Sequence, residues 1–237
     1  MNLSKYYTAT ADDGFVFTRE QGSHFAKDIA GDFNPLHDAD GKKFCIPGDL
    51  LFSLSLAKLG VSQKMQFTFS GMVTEDIVIN FSNSDAENIT VNDVNDKEYM
   101  SIDRSGDICQ NSEFASNLAQ RYVEFSGHTF PHILVPLMEQ QNVMINPARP
   151  LVIYQSMSIE LEHLDFSDPT LEITDTRLEV EGKRGRAILQ FCFKVDGEVV
   201  GKGEKIMLLS GLRAFDSDII GQVVSDYDQW KQAYVRS

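Results

Sequence analysis

The chain has 237 residues, 42% of them hydrophobic, with 16 Gly, 7 Pro and 3 Cys. That apolar content excludes a disordered chain, and so little Gly and Pro excludes collagen-like or low-complexity sequence. A net charge of −14, with no run of Lys and Arg, excludes the basic stripe that nucleic-acid binding needs.

The opening MNLSKYYTATADDG is polar and acidic, without the basic start and apolar run of a secretory signal. A membrane-spanning helix needs about 18 uninterrupted apolar residues, and the nearest stretch, Ile46 to Leu59, is broken by Asp49 and Lys58. Cys45, Cys109 and Cys192 are odd in number, far apart and without a Cys-x-x-Cys pair, so neither a disulfide framework nor a zinc site is expected. These features predict a cytoplasmic protein with no membrane or nucleic-acid partner, built as one large domain or two small ones.

In chain order, Thr18 is a plausible N-cap for a helix through Ala30, with Phe25 and Ile29 on one face and Gly31 as its stop. A polar loop runs from Asp32 to Lys43. Leu50, Leu51, Phe52, Leu54, Leu56 and Leu59 then occupy nearly every side of a helix that starts at Pro47-Gly48-Asp49 and stops at Gly60. Such a helix must be covered all round. The period changes to two through Met65, Phe67 and Phe69, and again through Ile77, Ile79 and Phe81, which predicts strands. The acidic stretch 82–107 predicts exposed hairpins around Ile89, Val91 and Tyr99, and 108–120 reads as a polar passage between halves.

A helix is expected within Phe130 to Met144, kinked or begun by Pro136. Leu151, Ile153, Met157, Ile159 and Leu161 then define the apolar face of a strand, with Tyr154, Ser156, Ser158 and Glu160 opposite. Further strands lie near 171–180, 186–195 and 198–209, the last two joined by the hairpin signal Asp196-Gly197. Ile219, Ile220, Val223, Tyr227 and Trp230 recur at helical spacing, so a terminal amphipathic helix must dock on a core or on a second subunit. Each half thus offers a buried helix followed by about four antiparallel strands. The expected architecture is α+β, a tandem repeat divided into residues 1–120 and 121–237, its two sheets joined edge to edge so that fewer strand edges are exposed.

Reactive side chains concentrate between Ala30 and Gly48. Asp32 and His37 flank Asn34-Pro35, whose proline holds Asn34 extended, so a carboxylate and an imidazole can converge on one water as base and acid. Gly48 opens the buried helix, where bare backbone N–H groups can meet a developing oxyanion. Cys45, between Phe44 and Ile46, reads as a small buried hydrophobe rather than a nucleophile. His128 and His132 are spaced like metal ligands but read as an ordinary start of a helix, with no metal expected.

The run Phe25-Ala26-x-x-x-Ala30-Gly31-Asp32-Phe33-Asn34-Pro35-Leu36-His37, followed by Phe44 and Ile46-Pro47-Gly48-Asp49-Leu50-Leu51, resembles the MaoC-like, or (R)-specific enoyl-CoA hydratase, branch of the hotdog superfamily. The resemblance covers about residues 15 to 60. Position 39 is Ala where that family usually has Asp, only ten residues separate His37 from Gly48, and Pro47 stands where a histidine is usual. The resemblance implies a double hotdog fold with one site, in the N-terminal half, that hydrates a 2-enoyl thioester or dehydrates a 3-hydroxyacyl thioester of coenzyme A or a carrier protein. Asp32 and His37 would be catalytic, Gly48 would form the oxyanion hole, and Asn34 and Pro35 would shape the loop. Phe44, Leu50 and Phe52 would line the acyl pocket, and Lys42 and Lys43 could meet phosphates of the thioester arm. No cofactor is implied beyond the thioester carried by the substrate, and a homodimer is possible. The alternative is a non-catalytic acyl-thioester-binding or assembly protein; a thioesterase is a third reading.

Overall fold

A helix that is apolar on every side is stable only inside a shell, and the architecture supplies one. The computed structural model describes residues 1–235. The first half runs through β1 (Thr8–Ala9), β2 (Phe15–Val16), α1 (Arg19–His24), α2 (Gly48–Leu59), β3 (Val61–Phe69), β4 (Ile79–Ser82), β5 (Asn88–Asp93) and β6 (Glu98–Cys109). There follow α3 (Ser112–Gly127), α4 (Leu134–Gln140), β7 (Val143–Met144), β8 (Val152–Leu161), β9 (Thr170–Glu181), β10 (Arg184–Val195), β11 (Glu198–Ser210), β12 (Arg213–Ala214) and α5 (Ser217–Ala233).

Ten strands form one sheet in the order β1-β2-β4-β5-β6-β3-β8-β11-β10-β9, while β7 and β12 make a separate pair. Outward from the centre, β3-β6-β5-β4 on one side repeats as β8-β11-β10-β9 on the other. The seam is the antiparallel pairing of β3 with β8, which sets Met65 opposite Ile159 and Phe67 opposite Met157. The chain is therefore mixed α+β with one large antiparallel sheet. Asp196 and Gly197 both take positive φ between β10 and β11, the backbone that a two-residue hairpin turn needs.

Leu50, Phe52, Leu54, Leu56 and Leu59 of α2 are all buried, in one core with strand residues of both halves such as Phe67, Ile102, Met157 and Phe191. Ser53 and Ser55 survive in that setting because each hydroxyl donates to the carbonyl four residues back, Asp49 at 2.7 Å and Leu51 at 2.8 Å. The rest of the cover is α3, which begins inside the stretch expected to be a polar passage. Asn111 caps it, and its apolar stripe Phe114, Leu118, Tyr122 faces inward, with the Tyr122 ring 4.8 Å from that of Phe52. The polar letters of 108–120 were its solvent face. Residue 120, where the sequence divides into halves, falls inside this helix.

At 130–144 only α4 is helical, with Pro136 in its first turn, where no N–H is missed. It covers a second, smaller core with Leu189, Met207 and Leu209. The acidic hairpins of 82–107 are exposed on one face only, since Ile89, Val91 and Tyr99 are buried. Near the N-terminus Thr18 and Gln21 form a reciprocal capping box, and α1 continues as a π-helical turn, Phe25–Ala30, ended by left-handed Gly31 at φ 66°. The helix α5 docks on its own chain: Tyr227 is buried against Phe33 and Phe130. Among the described residues no helix is long and apolar enough to cross a membrane.

Candidate active site

The loop between the π-helical turn and α2 is built from local hydrogen bonds. The Asp32 carboxylate accepts from Asn34 N–H at 2.9 Å, and the Asn34 side chain accepts from Leu36 N–H at 3.0 Å. Pro35 opens a single 3-10 turn, Pro35–His37, in which its missing N–H is no loss. This folds the chain back so that Cys45 N–H reaches the Leu36 carbonyl at 2.8 Å. Outside the turn, Arg19 donates to the carbonyls of Ala39 at 2.7 Å and Gly41 at 2.9 Å, and Lys27 pairs with Asp38 at 3.0 Å. From the other side, Tyr227 on α5 accepts from Phe33 N–H at 3.2 Å and donates to the Gly31 carbonyl at 3.3 Å.

The result is a cavity of about 480 Å³ whose wall includes Asp32, Asn34, Pro35, His37 and Gly48. His37 Nδ1 lies 2.8 Å from the Cys45 carbonyl oxygen and 3.9 Å from its Sγ. A carbonyl can only accept, so Nδ1 carries a hydrogen and Nε2 is the ring nitrogen left for chemistry. Burial opposes the imidazolium, but the Cys45 side chain, by hydrogen bond and charge, then Asp32 and the Cys45 backbone outweigh it and push the pKa up to about 9. At neutral pH the ring is therefore a proton donor beside a carboxylate. Gly48 opens α2 with no side-chain cap; Leu50 and Leu51 N–H already reach the Pro47 carbonyl at 3.0 and 3.4 Å, so of the first turn only the Gly48 and Asp49 N–H groups are without a partner in the helix.

Other expected residues stand elsewhere. Phe44, Leu50 and Phe52 do not line the cavity; they are core, Phe52 packed between Phe67 and Tyr122. Successive helical positions diverge by about 100°, and of the leucines of α2 it is Leu51 that turns to the cavity. The apolar wall also includes Phe69, Val73, Leu134, Ile145 and Val152, from both halves. Lys42 and Lys43 are exposed and outside the cavity wall. The rings of His128 and His132 lie 6.3 Å apart, and among the described residues no third ligand joins them.

The sequence reading missed a second polar cluster at the start of α2. Asp49 is 9% exposed and its Oδ2 accepts from Ser126 Oγ at 2.6 Å, while Oδ1 has no partner. Lys205 on β11 donates to the same hydroxyl at 2.5 Å and lies 4.6 Å from the centre of the Tyr154 ring. Burial raises the Asp49 pKa against the pull of Lys205 and Ser126, and burial lowers that of Lys205 against the pull of Asp49 and Asp32. All four side chains reach the cavity wall. Tyr154, expected on the outer face, points inward because the pairing of β8 with β11 slips between Ile206 and Met207: Met207 faces Tyr154 and Ile206 faces Ser156, leaving Gln155 as the extra residue. Lys205 did carry a signal: it shares an inward row with Met207 and Leu209, where a charge is out of place.

A family described as "Protein of unknown function (DUF3581)" matches residues 1–218. No curated protein matches the chain. Among solved structures, the tesB protein MAP1729c of Mycobacterium avium subsp. paratuberculosis is similar at 10% identity and a TM-score of 0.49, covering 87% of this chain and 97% of its own. Acyl-CoA thioesterase II TesB2 of Mycobacterium marinum has 10% identity and a TM-score of 0.44, over 91% of this chain and 98% of its own. A MaoC-like dehydratase has 8% identity and a TM-score of 0.44, over 87% and 98%.

Proposed function

The chain belongs to that family of unknown function, and we propose that it hydrates 2-enoyl thioesters, or dehydrates 3-hydroxyacyl thioesters, on a double hotdog fold. The two units, 1–120 and 121–237, share α3 at their joint, and the loop of the first unit supplies the reacting groups. The observation that carries the reading is that Asp32, His37 and the uncapped first residue of α2 open onto one largely apolar cavity.

In the proposed reaction a water lies between Asp32 and His37. Asp32 takes its proton as the oxygen bonds to C3, His37 delivers a proton to C2, and the thioester oxygen accepts from Gly48 N–H while it carries enolate charge. The elevated pKa of His37 suits the donor role and leaves Asp32 as the base. Incubation with short and medium 2-enoyl-CoA should bleach the conjugated thioester absorbance. Asp32→Asn and His37→Ala should each slow that loss by about 10²- to 10⁴-fold while the melting temperature is retained. Unchanged rates would overturn the assignment; binding without turnover would point to an acyl-binding protein.

A second reading, thioester hydrolysis, is favoured by the unpartnered Oδ1 of Asp49, a buried carboxylate oxygen with a cavity in front of it. Release of free thiol, abolished in Asp49→Asn, separates it from hydration.

A further inference from the structure

Lys205 holds an unusual place. It is 5% exposed, on the inward face of β11, yet among the described residues it makes no ion pair within 4.0 Å, whereas Lys27, Lys58, Lys64, Lys194 and Lys202 each do. Its hydrogen bond goes to a neutral hydroxyl, Ser126 Oγ, and its other neighbour is the face of Tyr154. An ammonium has three donors and is strongly hydrated, so burying it without a direct counter-ion is costly. Yet no apolar residue fills this core position, and the residue opens onto the cavity. Asp49 does not complete the pair, because Ser126 stands between them and Asp49 Oδ1 is itself unpartnered.

We infer that Lys205 is the anion-binding group of the cavity, and that the acyl group the protein accepts carries its own carboxylate. The inference rests on the acyl-thioester reading above and narrows its substrate class from plain hydrocarbon chains to monothioesters of dicarboxylic acids. A carboxylate seated there accepts from the free donors of Lys205, the ones not spent on Ser126 Oγ. Leu51, Val73, Leu134 and Ile145 then cover the methylenes between the two ends. A simple alkyl chain in the same place would strip water from the ammonium and return nothing.

The test compares two CoA thioesters of equal chain length, glutaryl-CoA and pentanoyl-CoA, by titration calorimetry. The wild type should bind glutaryl-CoA at least about tenfold more tightly, the size of one charge-assisted hydrogen bond. In Lys205→Met, of similar volume, the preference should vanish or reverse, while Lys205→Arg retains part of it. Equal wild-type affinities for the two ligands would overturn the inference and leave the acyl-thioester reading standing; failure of both to bind would overturn both. A preference that persists in Lys205→Met would also overturn it, and the wild-type comparison decides the matter by itself if that variant does not fold.

Discussion

The two sides of the seam have the same strand order and opposite chemistry. In the first half, a long helix, α2, follows a loop whose Asp32, Asn34 and His37 are tied by short-range hydrogen bonds. In the second half the corresponding strands follow the short α4, which has no side-chain cap and no acid–base loop before it. The second half instead contributes single side chains from regular elements: Tyr154 from β8, Lys205 from β11 and Tyr227 from α5. The two sides therefore differ in what they bring to one cavity: the first carries the Asp32–His37 loop, and the second forms the opposite wall.

That division can be broken in stages. The largest effect is expected from the first-half loop, where Asp32→Asn or His37→Ala should cost orders of magnitude in turnover and little in stability. Next is the joint between the halves. A Cβ at Gly127 would come 1.8 Å from the Ala30 carbonyl oxygen, so the end of α3 can lie against the π-helical turn only without a side chain. Gly127→Ala should lose about 3 kcal/mol of unfolding free energy in denaturant titration, because backbone must move.

The pH dependence sharpens the comparison further. The folded state raises His37 from 6.5 to about 9, so its contribution to stability is complete below 6.5 and is lost as the pH rises through about 9. The rate, if His37 is the donor, should fall over the same upper limb. Cys45→Ala removes the side-chain hydrogen bond and charge that oppose burial, and should move that limb downward; an NMR titration of the ring would read the change directly. A limb that stays at 9 would show that the Cys45 side chain does not set the pKa of the ring. The smallest effect belongs to the second-half wall: Tyr227→Phe deletes the hydroxyl shared by Phe33 N–H and the Gly31 carbonyl, with an expected loss of about 1 kcal/mol. Thermal unfolding of that variant should show a small shift and turnover should persist.

The mouth of the cavity follows the same pattern. Met72 from the first half, 51% exposed, and Trp230 from α5, 50% exposed, both belong to its rim. Read along the chain, Trp230 belongs to the apolar stripe of an amphipathic helix. In the fold, Ile220 and Tyr227 anchor that stripe, while Trp230 is half-exposed in the cavity wall.

What the amino-acid order determined by itself was everything set by near neighbours. Thr18 caps the first helix, Gly31 ends the turn after it, Asn34-Pro35 folds the loop, and the all-round apolar letters of 50–59 demand a buried helix. The first three rest on contacts within a few residues, and the fourth on the spacing of apolar letters, so local order alone reveals them. The polar letters of 108–120 misled because a helix that buries only one stripe looks hydrophilic when its residues are read in a row. Only the tertiary structure decided which side chains meet across the cavity. Lys205 and Asp49 are far apart in sequence, and Ser126 joins them only because α3 lies beside both. Tyr154 faces inward only because one residue bulges between β8 and β11, a single-residue slip that reverses faces and leaves the hydrophobic rhythm almost unchanged.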